Sequence, residues 1–185
     1  MPYPSKVNHD QIIAQAGMLI EQEGFAALSL ARLGNLLGIK AASLYKHFAD
    51  KDAILRAVNL RTVQALIETT LAAVAAEDTA PVKLAKAALS YRQFALSHPA
   101  TYSLALSRLA PEVKPDPLQL EQLVLPLQAL FIPICGEDQS LTAIRGLFAL
   151  MHGFIISELN DQFQRGGNLD ETYRLVVERY LRGWA

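Results

Sequence analysis

The feature that most constrains this 185-residue chain is the period of its apolar residues. Spacings of three and four recur almost from end to end, and no stretch alternates apolar and polar residues as a half-buried strand must. Such a chain buries side chains helix against helix, which points to an all-α fold. Its apolar fraction of 51% can fill a sizeable core, and its charged fraction of 19% is too low for disorder.

Glycine, proline and capping residues divide the pattern into about nine helices. The first is expected over about 8–23, with Ile12, Ile13, Ala16, Leu19 and Ile20 on one face and Gly24 at the stop. Ser29 suits the N-cap of a second, with Leu33, Leu36 and Leu37 facing inward and Gly38 ending it. A third, over about 41–47, turns Leu44 and Phe48 to the same core. Asp50 suits the N-cap of a fourth, over about 51–76. Further helices are expected over about 81–97, 100–109, 117–135, 139–165 and 169–183. Pro126 and Pro133 predict that the seventh is kinked or split.

Charge is unevenly spread. Residues 32–61 hold six Lys or Arg against two acids, whereas residues 62–185 hold ten against thirteen. A basic segment on a chain of net charge −1 fits a local polyanion contact or a solvated helix face. The start, "MPYPSKVNHDQ", has charges and prolines where a signal peptide would be apolar, so a cytoplasmic location is expected. The run "GLFALMHGFIIS" (146–157) falls short of the roughly 20 residues that span a bilayer; a buried helix is expected there, and no membrane partner. Cys135 stands alone, and His9, His47, His98 and His152 are scattered, so no disulfide, metal site or cofactor is expected.

Two short helices joined by a glycine turn and braced by a longer one make a helix-turn-helix, whose second helix fits the DNA major groove. Leu33, Leu37, Ile39, Leu44 and Phe48 would hold the pair against Ile13, Ala16 and Ile20. Lys40, Ala41, Ala42, Ser43, Tyr45 and Lys46 are then left facing out. Tyr45 and His47 can donate to phosphate oxygens, and Lys51 adds charge at a helix N-terminus that itself favours anions. Taken singly, Tyr45 and His47 also suit boundary positions that merely cover a core.

The segment "SLARLGNLLGIKAASLYKHFADKDAIL" (29–55) resembles the DNA-binding segment of TetR/AcrR-family transcriptional regulators. The resemblance rests on the Gly38-Ile39 turn, Leu44-Tyr45, His47-Phe48, Lys51 before an apolar helix, and Gly24-Phe25 upstream. It implies that Ser29 and Leu30 start the second helix near the phosphate backbone. Tyr45, His47 and Lys51 fall at phosphate-contacting positions, and Ala41, Ala42, Ser43 and Lys46 on the base-reading face, where Lys46 suits a guanine contact or, equally, a phosphate. Lys40 stands where the family often has a serine-like cap, and Ala41 and Ala42 offer only methyl groups. Apart from the resemblance, residues 1–8 are expected to form an arm whose Lys6 touches DNA.

"YRQFALSHPATYSLAL" (91–106) and "LMHGFIISELNDQF" (150–163) are similar to a TetR-type C-terminal domain named for a Trp-His-Gly triplet, here Met151-His152-Gly153. The resemblance implies a DNA-binding domain over 1–54 and an effector-binding and dimerisation domain over 55–185. Tyr91, Phe94, Tyr102, Leu106, Phe131, Phe148 and Met151 suit either a core or a cavity, and Tyr102, Met151 and His152 are the effector candidates. Apolar residues on more than one face of 141–163, with Gly146 and Gly153 seven apart, together with "YRLVVERYL" (173–181), suggest a four-helix interface of two helices from each copy, as in TetR-like proteins.

The expected function is therefore a sequence-specific DNA-binding regulator, a homodimeric repressor released from a palindromic operator by a small apolar effector. The alternative is a helical small-molecule-binding protein or adaptor with no DNA role. No acid/base pair, glycine phosphate loop or nucleophile with a nearby base points to an enzyme.

Overall fold

The computed structural model describes residues 7–76, 78–106 and 111–184; Lys6 and the end of the sixth expected helix lie outside them. Among the described residues there is no strand. Ten α-helices occur in order: α1 (His9–Glu23), α2 (Leu30–Leu36), α3 (Ala41–Leu44), α4 (Lys51–Ala72), α5 (Ala80–Ser97), α6 (Pro99–Leu106), α7 (Pro117–Ala129), α8 (Ile132–Cys135), α9 (Glu137–Leu159) and α10 (Leu169–Arg182). The tenth arises because the expected seventh helix splits. The break falls at Leu130–Phe131, just before Pro133 in the first turn of α8, while Pro126 is absorbed within α7.

The chain forms two compact units, one of residues 1–63 and 98–116, the other of 64–97 and 117–185. In the first, α1 begins with a capping box: Asn8 Oδ1 accepts from the Gln11 N–H, and Gln11 Oε1 from the Asn8 N–H. All five apolar residues expected on its inner face are buried. They meet Leu28, Leu33, Leu44, Phe48, Ile54, Leu55 and Val58 in one core, aliphatic except for Phe48. Each such Leu or Ile contributes about 1.5–3 kcal/mol by leaving water.

Leu36 departs from expectation. It is 46% exposed, because α2 is only seven residues long and Leu33 and Gly34 occupy its buried side. The third helix is also shorter than expected, one turn ending at Leu44 and followed by turns to His47.

Residues 98–116 belong to this same unit, and specific bonds hold them there. The Glu21 carboxylate of α1 accepts from the backbone N–H groups of Ala100 and Thr101 at 2.9 and 3.0 Å and from the Thr101 hydroxyl at 2.7 Å. It thereby satisfies orphan donors at the start of α6 and complements the helix dipole. On α4, Asn59 Nδ2 donates to the Val113 carbonyl at 2.9 Å and Arg56 to the Glu112 carbonyl.

In the second unit α9 packs with α5, α7, α8 and α10. A buried Arg92 on α5 donates to Glu158 on α9 at 2.5 and 2.7 Å and to Asp170 on α10 at 2.7 Å, with its guanidinium over the Tyr173 ring. The Tyr173 hydroxyl donates to the Ala88 carbonyl at 2.9 Å. Both carboxylates hold Arg92 firmly protonated.

The run 146–157 lies in α9, which extends to 23 residues and is long and apolar enough, by length and composition, to cross a membrane. Its burial is confined to one face. Ser140, Ala143, Leu147, Met151 and Ile155 form one buried stripe, and Leu141 and Phe148 are exposed beside it. Phe148, at 41% exposed, is thus no part of this unit's core. Gly146 meets the Tyr180 ring, whose hydroxyl donates to the Ala143 carbonyl at 2.8 Å, so a Cβ at Gly146 would collide with it. Gly153 has nothing within 4 Å of where its Cβ would be. Helix α9 stops earlier than expected, at Leu159, where Asn160 caps it and Asp161 takes a left-handed φ of 51°.

Candidate nucleic-acid interface

The turn between α2 and α3 depends on two glycines. Gly38 has φ 67°, which a residue with a side chain adopts only under strain. Gly34 lets α2 and α3 touch through their backbones: a Cβ there would lie 2.9 Å from the Ile39 carbonyl oxygen and 3.1 Å from the Ala41 nitrogen. The Ile39 N–H donates to the Gly34 carbonyl at 2.9 Å, closing the turn. Gly38 was legible from sequence. Gly34 was not, because a glycine inside a helical pattern looks merely neutral.

Leu44 and Phe48 are buried, and the residues between and before them divide accordingly. Tyr45 is 59% exposed; Lys40, Ala42 and Lys46 are also exposed, and Ala41, Ser43 and His47 are half-buried. Lys40 precedes α3 without a side-chain cap bond. Ser29 is exposed and caps α2, its hydroxyl accepting from the Arg32 N–H at 3.2 Å. Leu30 packs partly against the core and so offers least to a partner. Asp50 caps α4 by accepting from the Ala53 N–H at 2.7 Å, which places the half-buried Lys51 in the first turn.

Two contacts here had no sequence signal beyond aromatic residues near the turns. The Lys51 ammonium lies 5.1 Å from the centroid of the Phe25 ring. The His9 ring stacks on Phe48 at 4.1 Å.

The effector candidates lie in different surroundings. Tyr102 is fully buried in the unit that holds α1–α3. Met151 is buried in the other unit, where the half-buried His152 stacks parallel to Phe148 at 5.5 Å. Burial pushes the His152 imidazole below its ordinary pKa. Among the described residues, no group of His, Cys, Asp and Glu side chains is placed to hold a metal.

A one-turn helix with an apolar inner edge and a basic, hydroxyl-bearing outer edge, braced by α1, defines a helix-turn-helix module of the kind that meets DNA. Comparison with known proteins narrows the class. Residues 12–58 match the family described as bacterial regulatory proteins, tetR family, and residues 84–180 match the tetracyclin repressor-like C-terminal domain. The chain belongs to the TetR family of transcriptional regulators, and it is a DNA-binding regulator of transcription.

The uncharacterized HTH-type transcriptional regulator YobS of Bacillus subtilis (strain 168) is 28% identical over 176 residues, covering 93% of this chain and 90% of the relative. A protein of unknown function from Rhodococcus sp. RHA1 shares the fold with a TM-score of 0.81 at 24% identity, over 100% of this chain and 99% of that one. A TetR variant from Acinetobacter baumannii AYE, crystallised in complex with minocycline, has a TM-score of 0.70 at 18% identity over 96% of each chain. Members of the family are soluble DNA-binding regulators rather than enzymes.

Proposed function

We propose that the protein is a cytoplasmic homodimeric repressor that grips a palindromic operator with two helix-turn-helix heads and is released by a small apolar effector. The observation that carries this reading is the outward set on α3 and the turn after it. Tyr45, His47 and Lys51 are placed to donate to phosphates, which fixes register, with Ser29 and Leu30 beside the backbone. Ala41, Ala42, Ser43 and Lys46 face the bases, with Lys40 at the start of the helix. Lys46 suits a guanine edge and the two alanines suit thymine methyl groups.

The exposed apolar residues of α9, together with Leu175 on α10, supply the surface for a second copy, since a twofold dimer is the commonest soluble assembly. Residues 1–54 form the DNA-binding domain and 55–185 the effector and dimerisation domain. Tyr102, Met151 and His152 are each candidates for effector contact, and a fold neighbour crystallised with minocycline supports a small-molecule ligand for this fold. The effector acts only as far as it binds one head arrangement better than another. α4 runs from the first unit into the second, and Glu21, Arg56 and Asn59 bind residues 98–116 to the head, so both segments carry the change.

Selection of bound duplexes from a random pool tests the reading. Enrichment of a palindrome with half-sites about one helical turn or a multiple apart supports it. Recovery of no enriched sequence counts against it.

A further inference from the structure

We propose that Phe25 is a positioning residue for DNA binding: its ring holds the Lys51 ammonium ready for a backbone phosphate without cancelling its charge. The inference rests on the reading of Lys51 as a phosphate contact and adds a residue to it. Phe25 sits one position past Gly24, whose φ of 83° turns the chain sharply out of α1. The turn leaves the ring 47% exposed and outside the aliphatic core. Core packing therefore does not account for a phenylalanine here. Lys51, coming from the start of α4, does: its Nζ lies 5.1 Å from the ring centroid.

A lysine can be fixed by a carboxylate or by an aromatic face, and the two differ in what remains for a partner. Arg32, on α2 of the same unit, shows the first arrangement, paired with Glu23 at 2.5 Å so that the two charges offset each other. Among the described residues Lys51 has no carboxylate within ion-pair distance. A ring attracts the cation through its quadrupole and leaves the full positive charge available. It also restricts a four-carbon stem that would otherwise lose its rotamer freedom on meeting DNA. The α4 N-terminus beside it favours the same anion.

The test uses the full-length protein and a labelled duplex of fixed sequence, titrated at several salt concentrations. Lys51→Met should weaken binding and reduce the slope of log K against log salt by about 0.9, one phosphate's worth. Phe25→Leu should weaken binding about 2- to 5-fold, the range of an exposed cation–π contact, with the slope unchanged because the ammonium still reaches the phosphate. Phe25→Tyr should bind as wild type, and Phe25→Leu should have no effect in a Lys51→Met background. In the free protein, the Lys51 Cε protons should be shifted upfield by the ring, and Phe25→Leu should abolish that shift.

Equal losses from Phe25→Leu in both backgrounds, or an absent upfield shift, would overturn the proposal while leaving Lys51 as a phosphate contact. If Lys51→Met changes neither affinity nor slope, the phosphate reading itself falls, and the role of Phe25 with it.

Discussion

In the unit built on α1–α3 the outward residues around the turn are Tyr45, Lys46 and Lys40, groups that water and phosphate both satisfy. In the unit built on α5, α9 and α10 the outward residues of α9 include Leu141 and Phe148, with Leu175 on α10. The first surface suits a polar partner that comes and goes. The second leaves apolar area in water that another apolar surface would remove, so the proposed DNA contact and the proposed dimer contact would differ in kind.

Their interiors differ as well. The head holds together through apolar packing, a close backbone approach at Gly34, and the hydrogen bonds of Glu21 and Asn59 to residues 100, 101 and 113. The other unit adds an ionic cluster in which a buried Arg92 pairs with the half-buried Glu158 and the exposed Asp170, tying α5 to α9 and α10.

The largest expected effect comes from charging the α9 surface. Leu141→Glu with Phe148→Glu should weaken self-association about a hundredfold or more while helical content is kept, as sedimentation at several concentrations would show. Unchanged association would place the dimer contact elsewhere and erase the contrast. Next is Arg92→Met, which leaves the largely desolvated Glu158 without its partner while the exposed Asp170 stays solvated, and should cost about 3 kcal/mol in urea unfolding. A loss below about 1 kcal/mol would mean that packing alone secures this unit.

Gly34→Ala tests the head in the same way. Its new methyl group meets the backbone of Ile39 and Ala41, so overpacking of about 1–3 kcal/mol outweighs the gain of up to about 1 kcal/mol in helix propensity. A variant as stable as wild type would show that α2 and α3 can move apart freely.

The smallest effect is His152. Its folded pKa lies below the ordinary 6.5, so as pH falls through 6.5 the unfolded chain takes up the proton first. Stability from this group, complete above that pH, should decline until the folded group titrates and then level. His152→Gln should lose less melting temperature between neutral and mildly acidic pH than wild type does; identical pH profiles would assign no such role to this imidazole.

Much of the head was legible because its determinants are local. Ser29 and Asp50 cap as their positions imply, Gly38 takes the positive φ of a turn, and the α1 face is buried as its period predicts. Leu36 misled because periodicity in a seven-residue helix cannot say where the stripe ends. The early stop of α9 at Asn160 had no glycine or proline to announce it. The Arg92 cluster joins residues 66 and 78 positions apart, a pairing no local pattern encodes. The outward set on α3 was legible through its spacing and the family it resembles. The Phe25–Lys51 contact was not, since it depends on how two turns meet in space.

The most direct measurement is the salt dependence of duplex binding by the wild type and by Lys51→Ala. If Lys51 neutralises a phosphate, the wild type shows a steep fall of log K with log salt, and the variant a slope shallower by about 0.9. Coincident slopes for the two proteins would contradict the account.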